Sequence, residues 1–176
     1  MPEPAIEIRA ARRDELATVQ RLAHVIRHAH YPGIITDEQI DYMLDRGYAL
    51  DVLAGFLGGQ NRGLELAVVE GEPAGFAAWM LIDDTADAKL EKLYVLPARQ
   101  RHGLGGKLIH RVIELALAAR ATTLILNVNK QNRQAIRTYE RHGFATRESV
   151  VIDIGNGFIM DDYVMARKIG AAISTH

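Results

Sequence analysis

The sequence predicts a single α/β domain with a mixed central sheet of about seven strands and helices on both faces. The 176 residues are 48% hydrophobic and 24% charged, which is typical of a globular domain. Segments with period-two alternation are interspersed with amphipathic helical segments in the order β-α-α-β-β-β-α-β-α-β-β. Between residues 88 and 128 a strand, a glycine-rich loop, a helix and a second strand follow one another. This arrangement predicts a crossover whose two strands are parallel or splayed.

The N-terminal half is predicted to contain three strands and two main helices. Residues 6–9 alternate as the first strand. Asp14 is expected to cap a helix that extends to about residue 29, and Thr36 with Gln39 forms a capping box for the second helix. A short helical piece and the two strands of a hairpin follow at residues 48–57, 64–69 and 74–82.

The C-terminal half is predicted to alternate strands and helices before ending in an antiparallel pair. Its strands are expected at residues 88–95, 122–128, 150–154 and 160–168. Its helices are expected from 104 to about 120 and from 131 to 141, with Gly143 as a left-handed C-cap. Because no linker, repeat or low-complexity segment interrupts this order, one domain over residues 1–176 is expected.

Composition excludes several classes of site and partner. The chain contains no cysteine, so disulfides, thiolate metal sites and a cysteine nucleophile are excluded. A net charge of −1 argues against nucleic acid or an anionic membrane as the main partner. The N-terminus lacks the features of a signal peptide, and no apolar run is long enough to span a membrane. A cytoplasmic location is therefore expected.

Residues 90–111 indicate a phosphate-binding loop. An apolar strand ends near Pro97, a basic loop with three glycines follows, and a helix begins at once. Glycines let the backbone approach a ligand, and the N-terminal N–H groups and dipole of a helix favour an anion. No acidic residue lies between positions 97 and 114. The cations between these two positions are Arg99, Arg101, Lys107 and Arg111.

Spacing distinguishes three kinds of phosphate loop. A nucleotide P-loop requires G-x-x-x-x-G-K-[ST], but Leu108 follows Lys107, and no glycine stands five residues before Gly106. A dinucleotide fingerprint requires G-x-G-x-x-G, and Leu108 occupies the position of its third glycine. What remains is Gln-x-x-Gly-x-Gly at residues 100–105, directly after Leu-Tyr-Val-x-Pro.

This combination resembles the acyl-CoA loop of the GNAT family of N-acetyltransferases, and the element order is similar to the family's along essentially the full length. The resemblance implies a GNAT-like fold and the transfer of an acetyl group from acetyl-CoA to a primary amine. Without a cysteine for a thiol-linked acyl-enzyme, direct attack in a ternary complex is the economical interpretation. Dimerisation is common in the family, so a homodimer is a candidate assembly.

The resemblance assigns two segments to acetyl-CoA. The backbone of Leu93 and Val95, with Tyr94 between them, would pair with the pantetheine amides like an added strand. The loop residues expected at the phosphates are Arg101, His102, Gly103, Leu104, Gly105, Gly106 and Lys107. Asn132 and Arg141 are expected to contact the pantetheine arm and a phosphate. From the residues alone, Asn132 could equally cap a helix and Arg141 could interact with a helix dipole.

Tyr139 is the predicted general acid. It precedes Gly143-Phe144 by four residues, as in the second signature that the segment resembles, where a tyrosine faces the sulfur. A phenol with a pKa of about 10 can protonate a departing thiolate and stays neutral at working pH. The alternative is a core tyrosine, because Ile136 shares its helix face.

Glu91 is the predicted general base, placed near the acceptor amine, whose proton it would take through a water molecule. Alternation predicts two opposite faces of the strand: Lys89, Glu91, Leu93 and Val95 on one, and Leu90, Lys92 and Tyr94 on the other. The alternative for Glu91 is a surface ion pair with a neighbouring lysine, which contributes little stability.

The acceptor site is the least constrained part of the prediction. His28 and Tyr31 lie where GNAT proteins place part of the acceptor pocket, and Trp79 is expected in the core or, second, in a pocket wall. His24 and His28 have a chelating spacing, but no acidic ligand follows at the right distance, so no metal site is expected.

Residues 90–111 and 129–144 also look similar to bacterial spermidine/spermine acetyltransferases. A polyamine is therefore one candidate acceptor, which four acids could attract: Asp37, Glu38, Asp41 and Asp45. An exposed helix face explains these acids equally well. A peptide amine, an amino acid and an aminoglycoside stay open, and so does a non-catalytic acyl-CoA sensor.

Overall fold

A seven-stranded mixed sheet forms the centre of the computed structural model, which describes residues 2–30 and 33–170. The strands are β1 Ile6–Ala10, β2 Arg62–Val69, β3 Glu72–Leu81, β4 Asp87–Val95, β5 Thr123–Asn129, β6 Ala145–Gly155 and β7 Phe158–Lys168. The α-helices are α1 Leu16–His30, α2 Asp37–Gly47, α3 Leu50–Ala54, α4 Leu104–Ala118 and α5 Arg133–Arg141. Short 3₁₀ helices cover Arg13–Glu15 and Pro97–His102.

The strand order is β1-β2-β3-β4-β5-β7-β6, and every neighbouring pair is antiparallel except β4 and β5. These two strands pair only where residues 87–89 meet residues 123–125. Beyond this short parallel ladder they diverge. The mixed sheet of seven strands is confirmed, and the crossover between residues 88 and 128 is both parallel and splayed.

Helices cover both faces of the sheet, as predicted. Helix α4 buries an apolar stripe against one face: Leu104, Leu108, Ile109, Val112, Ile113 and Ala116. Helices α1, α2 and α3 cover the other face, against alternate residues of β2 that include Leu64 and Leu66. None of the helices within the described ranges combines the length and apolar character needed to cross a membrane.

A β-bulge interrupts β4 at Glu91. Trp79 of β3 pairs with Leu90, whereas the preceding Ala78 pairs with Lys92, so Glu91 is the extra residue. As a result, Leu90 packs in the same cluster as Leu93, beneath α4, while Lys92 lies against Tyr48 on the other side. The sequence predicted that the side chains from Lys89 to Val95 alternate between the two faces of the sheet without interruption. This prediction is wrong, because the bulge inserts one extra residue and interrupts the alternation.

Two helix starts differ from the sequence prediction in detail. Glu15 accepts a hydrogen bond from the Arg12 backbone N–H at 2.9 Å, so Arg12 occupies the cap position and the prediction for Asp14 is wrong. Thr36 caps α2 as predicted, accepting from the Gln39 backbone N–H at 3.2 Å. The Gln39 side chain does not close the capping box and instead donates to the Ile159 carbonyl at 2.9 Å.

This contact belongs to a set that docks the β6–β7 hairpin on α2. The Tyr42 hydroxyl donates to the Ile154 carbonyl at 2.8 Å, and its ring lies 5.3 Å from that of Phe158. Gly155 has a φ of +94°, and a Cβ at this position would lie 2.5 Å from the Tyr42 oxygen. Gly155 is therefore required both by its left-handed backbone and by the close approach of Tyr42.

Gly155→Ala should destabilise the protein more than Gly157→Ala, a matched control in the same turn. Gly157 also has a positive φ, +77°, but nothing lies within 4 Å of its added Cβ. Both variants bear the backbone strain, of about 1–2 kcal/mol. Only Gly155→Ala displaces Tyr42, at a further cost of about 1 kcal/mol or more. Urea unfolding measures the difference, and equal losses in the two variants would contradict the docking contact.

Candidate active site

A cavity of about 400 Å³ opens where β4 and β5 diverge. We call it the splay cavity. Its walls come from the ends of the two strands, the glycine loop and α5. The sequence-predicted site residues that line it are Glu91, Leu93, Tyr94, Val95, Gly103, Gly105, Gly106, Asn132, Tyr139 and Arg141. Residues from three separate segments of the chain are thus brought to one site.

The β4 side of the splay cavity presents backbone polar groups. The Leu96 N–H donates to the Ala74 carbonyl at 2.8 Å, so Leu96 directs its backbone groups towards β3. Because backbone direction alternates along a strand, Leu93 and Val95 direct theirs towards the opposite edge. The β4–β5 ladder ends at Lys89, so β5 does not pair with that edge. An extended amide-containing chain could hydrogen-bond there as an additional strand.

The glycine loop supplies an anion-binding end to the splay cavity. Gly103 adopts a left-handed conformation with φ +68°, and α4 begins at Leu104 with no acidic residue in its first turn. The first N–H groups of a helix have no intrahelical acceptor and favour an anion. A Cβ built on Gly103 or Gly105 would meet no atom within 4 Å, so both glycines border open space. These features fit a pyrophosphate.

Gly106 has a different role from its neighbours. A Cβ on Gly106 would lie 2.9 Å from Cε1 of His142, which follows α5. The absence of a side chain at Gly106 therefore lets the start of α4 and the end of α5 approach each other. This approach sets the width of the splay cavity between the loop and α5.

Several predicted loop residues do not line the splay cavity. Leu104 is fully buried in the core, Lys107 is exposed, and His102 lies outside the lining. The side chain of Arg101 lies outside the described part of the chain. Arg111, one of the four cations of the segment, pairs with the buried Glu65 at 2.8 Å instead.

Tyr139 lies in the α5 wall of the splay cavity. Its ring packs edge-on against Phe144 at a centroid distance of 5.8 Å, and the side chain is partly buried. Tyr139 thus packs against the same core cluster as Ile136 and also lines the cavity. As a lining residue, Tyr139 would lie beside a ligand bound in the cavity.

Asn132 and Arg141 combine the two roles that the sequence left open. The Asn132 side chain accepts from the Ala135 N–H at 3.3 Å and caps α5, while it also lines the splay cavity. Arg141 lies in the last turn of α5, donates to the Thr138 hydroxyl at 3.2 Å, and lines the same cavity.

A second cavity, of about 300 Å³, adjoins the splay cavity. Glu91 and Tyr94 line both, so the β4 bulge forms the boundary between them. The Glu91 carboxylate lies 3.3 Å from the Lys89 ammonium and stays about one-third exposed. The ion pair expected as an alternative is thus present, and the carboxylate is also placed where the two cavities meet.

The second cavity contains more cations than acids. Arg27, Arg46 and Lys92 line it together with Glu91, and its aromatic walls are Tyr42, Tyr48 and Tyr94. The Lys92 ammonium lies 4.1 Å from the centre of the Tyr48 ring. Burial lowers the pKa of Lys92 to about 8, with Glu91 opposing this shift and Arg27 and Lys89 adding to it.

Of the three predicted acceptor residues, the two that the structure describes, His28 and Trp79, are not brought together. His28 forms an exposed pair with Asp41 at 3.2 Å and lines neither cavity described above. Trp79 is buried in the core and borders a separate groove of about 820 Å³ beside the segment that joins α3 to β2. Tyr31 lies outside the described residues.

The acids considered for attracting a polyamine also lie elsewhere. The four α2 acids are exposed and do not line the second cavity. Among residues 2–30 and 33–170, no three His, Cys, Asp or Glu side chains are grouped as metal ligands would be.

The cations of the second cavity were missed by sequence reasoning. A signal was present for Arg27, which stands four residues after Ala23 and eight after Val19, on the buried stripe of α1. Lys92 lies within a strand whose apparent alternation the bulge disrupts. Arg46 carries no such signal, because its exposed position on α2 is ordinary for an arginine.

Comparison with known proteins identifies relatives over most of the chain. The model of the acetyltransferase (GNAT) family matches residues 24–144. An uncharacterised N-acetyltransferase of Mycobacterium tuberculosis is 30% identical over 156 residues, which cover 89% of this chain and 97% of the relative. An uncharacterised N-acetyltransferase of Mycobacterium bovis matches to the same extent.

Solved structures share the fold at lower identity. The PaiA N-acetyltransferase from Thermoplasma acidophilum, solved in complex with coenzyme A, superposes with a TM-score of 0.79 at 21% identity, covering 93% of this chain and 99% of that one. A GCN5-related N-acetyltransferase from Rhodopseudomonas palustris gives a TM-score of 0.77, also at 21% identity, with 96% and 97% coverage.

Lys92→Met should remove a pH-dependent part of the stability. As the pH rises through about 8, folded Lys92 loses its proton, whereas the unfolded chain keeps it up to about 10.5. The unfolded state then binds more protons, so the free energy of unfolding of the wild type should rise relative to that of Lys92→Met. Urea titrations from pH 7 to 9.5 measure this difference. Lys107→Met, at an exposed lysine, is the matched control, and a constant difference between wild type and Lys92→Met would contradict the assignment.

Proposed function

The chain belongs to the acetyltransferase (GNAT) family, and from this premise we propose that it transfers the acetyl group of acetyl-CoA to a primary amine of a small molecule. The observation that carries the proposal is the splay cavity. It joins an anion-binding loop, an unpaired strand edge and a phenol within one site. These are the groups needed to hold a pyrophosphate, an amide-containing arm and a leaving thiolate.

The acyl donor is held by the chain's backbone more than by its charges. The α4 N-terminus and Gly103 and Gly105 hold the pyrophosphate. The Leu93 and Val95 backbone groups pair with the amides of the arm, which Asn132 also contacts, and Arg141 contacts a phosphate. This arrangement directs the thioester towards the bulge at Glu91.

The reaction is a direct attack of the neutral amine on the thioester carbonyl. The new C–N bond forms as the C–S bond breaks, and the amine proton passes through a water molecule to the Glu91 carboxylate. The departing thiolate takes the proton of the Tyr139 hydroxyl. Glu91 suits this role because it borders both cavities, so it lies between donor and acceptor.

The second cavity does not favour a polyamine acceptor, because the charged side chains in its described lining are three cations and one acid. The resemblance to spermidine/spermine acetyltransferases stays a prediction. So do the single domain over residues 1–176, the homodimer and the cytoplasmic location. A non-catalytic acyl-CoA sensor is the alternative that would keep the loop and the strand edge without turnover.

Gly105→Val should greatly reduce the stabilisation of the protein by acetyl-CoA. The added side chain points into open space in the protein, so the fold tolerates it, but it occupies the space next to the loop where phosphate would lie. Thermal unfolding with and without acetyl-CoA measures the effect. Gly105→Ala should lose less of the acetyl-CoA-induced increase in Tm than Gly105→Val does. The Gly103→Val, Gly105→Val double variant should lose all of this increase. A full shift in the double variant would contradict the loop assignment.

Tyr139→Phe should lower kcat by about 10²-fold or more, the usual contribution of a general acid. The stabilisation by acetyl-CoA should stay close to that of the wild type, because the ring contact with Phe144 is kept. Thiol release from acetyl-CoA with a broad set of amines provides the assay. Tyr163→Phe is the matched control, since Tyr163 packs in the same core cluster but does not line the splay cavity.

Equal turnover in the Tyr139→Phe and Tyr163→Phe variants would remove Tyr139 from the mechanism. A wild-type protein that binds acetyl-CoA and releases no thiol with any amine would be a sensor.

A further inference from the structure

We propose that the acceptor is a small amine that also carries an anionic group, a carboxylate or a phosphate, which Arg27, Arg46 and Lys92 hold in the second cavity while the amine lies beside Glu91. This inference rests on the proposed function, because it names the acceptor class for the same site. The charges of the second cavity, the way they are held and the position of Glu91 support it.

Two cations of the second cavity, Arg46 and Lys92, form no close ion pair with an acid among the described residues. Glu91 is the one acidic residue in its described lining, against three cations. Among the described residues, no Asp or Glu carboxylate lies within 4 Å of a side-chain nitrogen of Arg46 or Lys92. An anion that enters the cavity therefore meets positive charge without having to displace an existing ion pair at these two residues.

Tyrosine rings hold these cations in place. The Arg27 guanidinium lies 5.5 Å from the centre of the Tyr48 ring and 5.4 Å from that of Tyr94. Arg46 donates to the Tyr42 hydroxyl at 2.8 Å, which uses one of its five N–H donors. The remaining donors suit a carboxylate or phosphate, which arginine binds through paired hydrogen bonds.

Size and position assign the two ends of the acceptor. A volume of about 300 Å³ lies at the small end of the range for ligand sites, so it suits a small molecule. Glu91 and Tyr94 are shared with the splay cavity, which places the reacting amine at that boundary. The anionic end then extends towards α2, where Arg46 lies.

The same cavity disfavours an acceptor with several positive charges. Burial and neighbouring cations already depress the ionisation of Lys92 in this cavity. A polyamine would bring further cations into contact with three existing ones, and like charges at close range raise its binding free energy. An amine with an attached anion offsets that repulsion.

Matched pairs of acceptors test the inference. Each pair consists of an amine and the same amine with an anion: cadaverine and lysine, tyramine and tyrosine, ethanolamine and phosphoethanolamine. Thiol release from acetyl-CoA gives kcat/KM for each member, with spermidine as an additional probe. For at least one pair, kcat/KM for the anionic member should exceed that for its partner by about tenfold or more, which is the effect of a charge-assisted hydrogen bond. Comparing the carboxylate pairs with the phosphate pair shows which of the two anionic groups the cavity prefers.

Variants of the cavity connect the preference to its residues. Arg46→Gln and Lys92→Met should each reduce the preference for the anionic member by about tenfold, mainly through KM. Activity with the partner that lacks the anion should fall less than activity with the anionic member. Asp45→Asn is the matched control, because Asp45 is an exposed neighbour on α2 that does not line the cavity.

Binding measured separately distinguishes this inference from the proposed function. Each pair member is titrated into the protein saturated with coenzyme A, which has no acetyl group to transfer. Tighter binding of an anionic member without thiol release with acetyl-CoA would support the inference and contradict the proposed function. Equal or stronger binding and turnover of the members that lack the anion, or of spermidine, would overturn the inference alone. Failure of every anionic probe to bind would also overturn it.

Discussion

The divergence of β4 from β5 is the constraint on which the rest of the site depends. The two strands share a ladder of only three residues each, and beyond it the backbone of β4 faces open space. In a continuous sheet those groups would pair with β5, and no cavity would exist. Because they do not, α4 and α5 lie on either side of an opening, and a ligand can complete the hydrogen bonds that the sheet leaves unmade.

The bulge at Glu91 connects this opening to the second cavity. One extra residue in β4 turns Leu90 and Leu93 to the same face and leaves Lys92 on the other, next to Tyr48. Glu91 itself lies between the two cavities. A local irregularity in one strand thus places a carboxylate between the splay cavity and the second cavity, and a cation in the second cavity.

The fold followed from local patterns, whereas part of the site did not. The alternation in β1, the apolar stripe of α4 and the helix boundaries at Gly103 and Gly143 are properties of neighbouring residues, and the sequence shows them directly. The bulge is not: it depends on how β3 and β4 pair, so alternation across residues 89–95 predicted the wrong faces. Arg27 and Arg46 become neighbours of Lys92 only when α1, α2 and β4 pack together. His28 shows the same limit. Arg27 lines the second cavity, whereas His28, the next residue of α1, is exposed.

Hydrogen–deuterium exchange with and without coenzyme A tests the central claim most directly. If the unpaired edge of β4 and the start of α4 hold the ligand, the amides of residues 93–95 and 103–107 should exchange more slowly when coenzyme A is bound. The groove bordered by Trp79 and Arg111 should be unaffected. Protection confined to that groove, with exchange at residues 93–95 unchanged, would contradict the account.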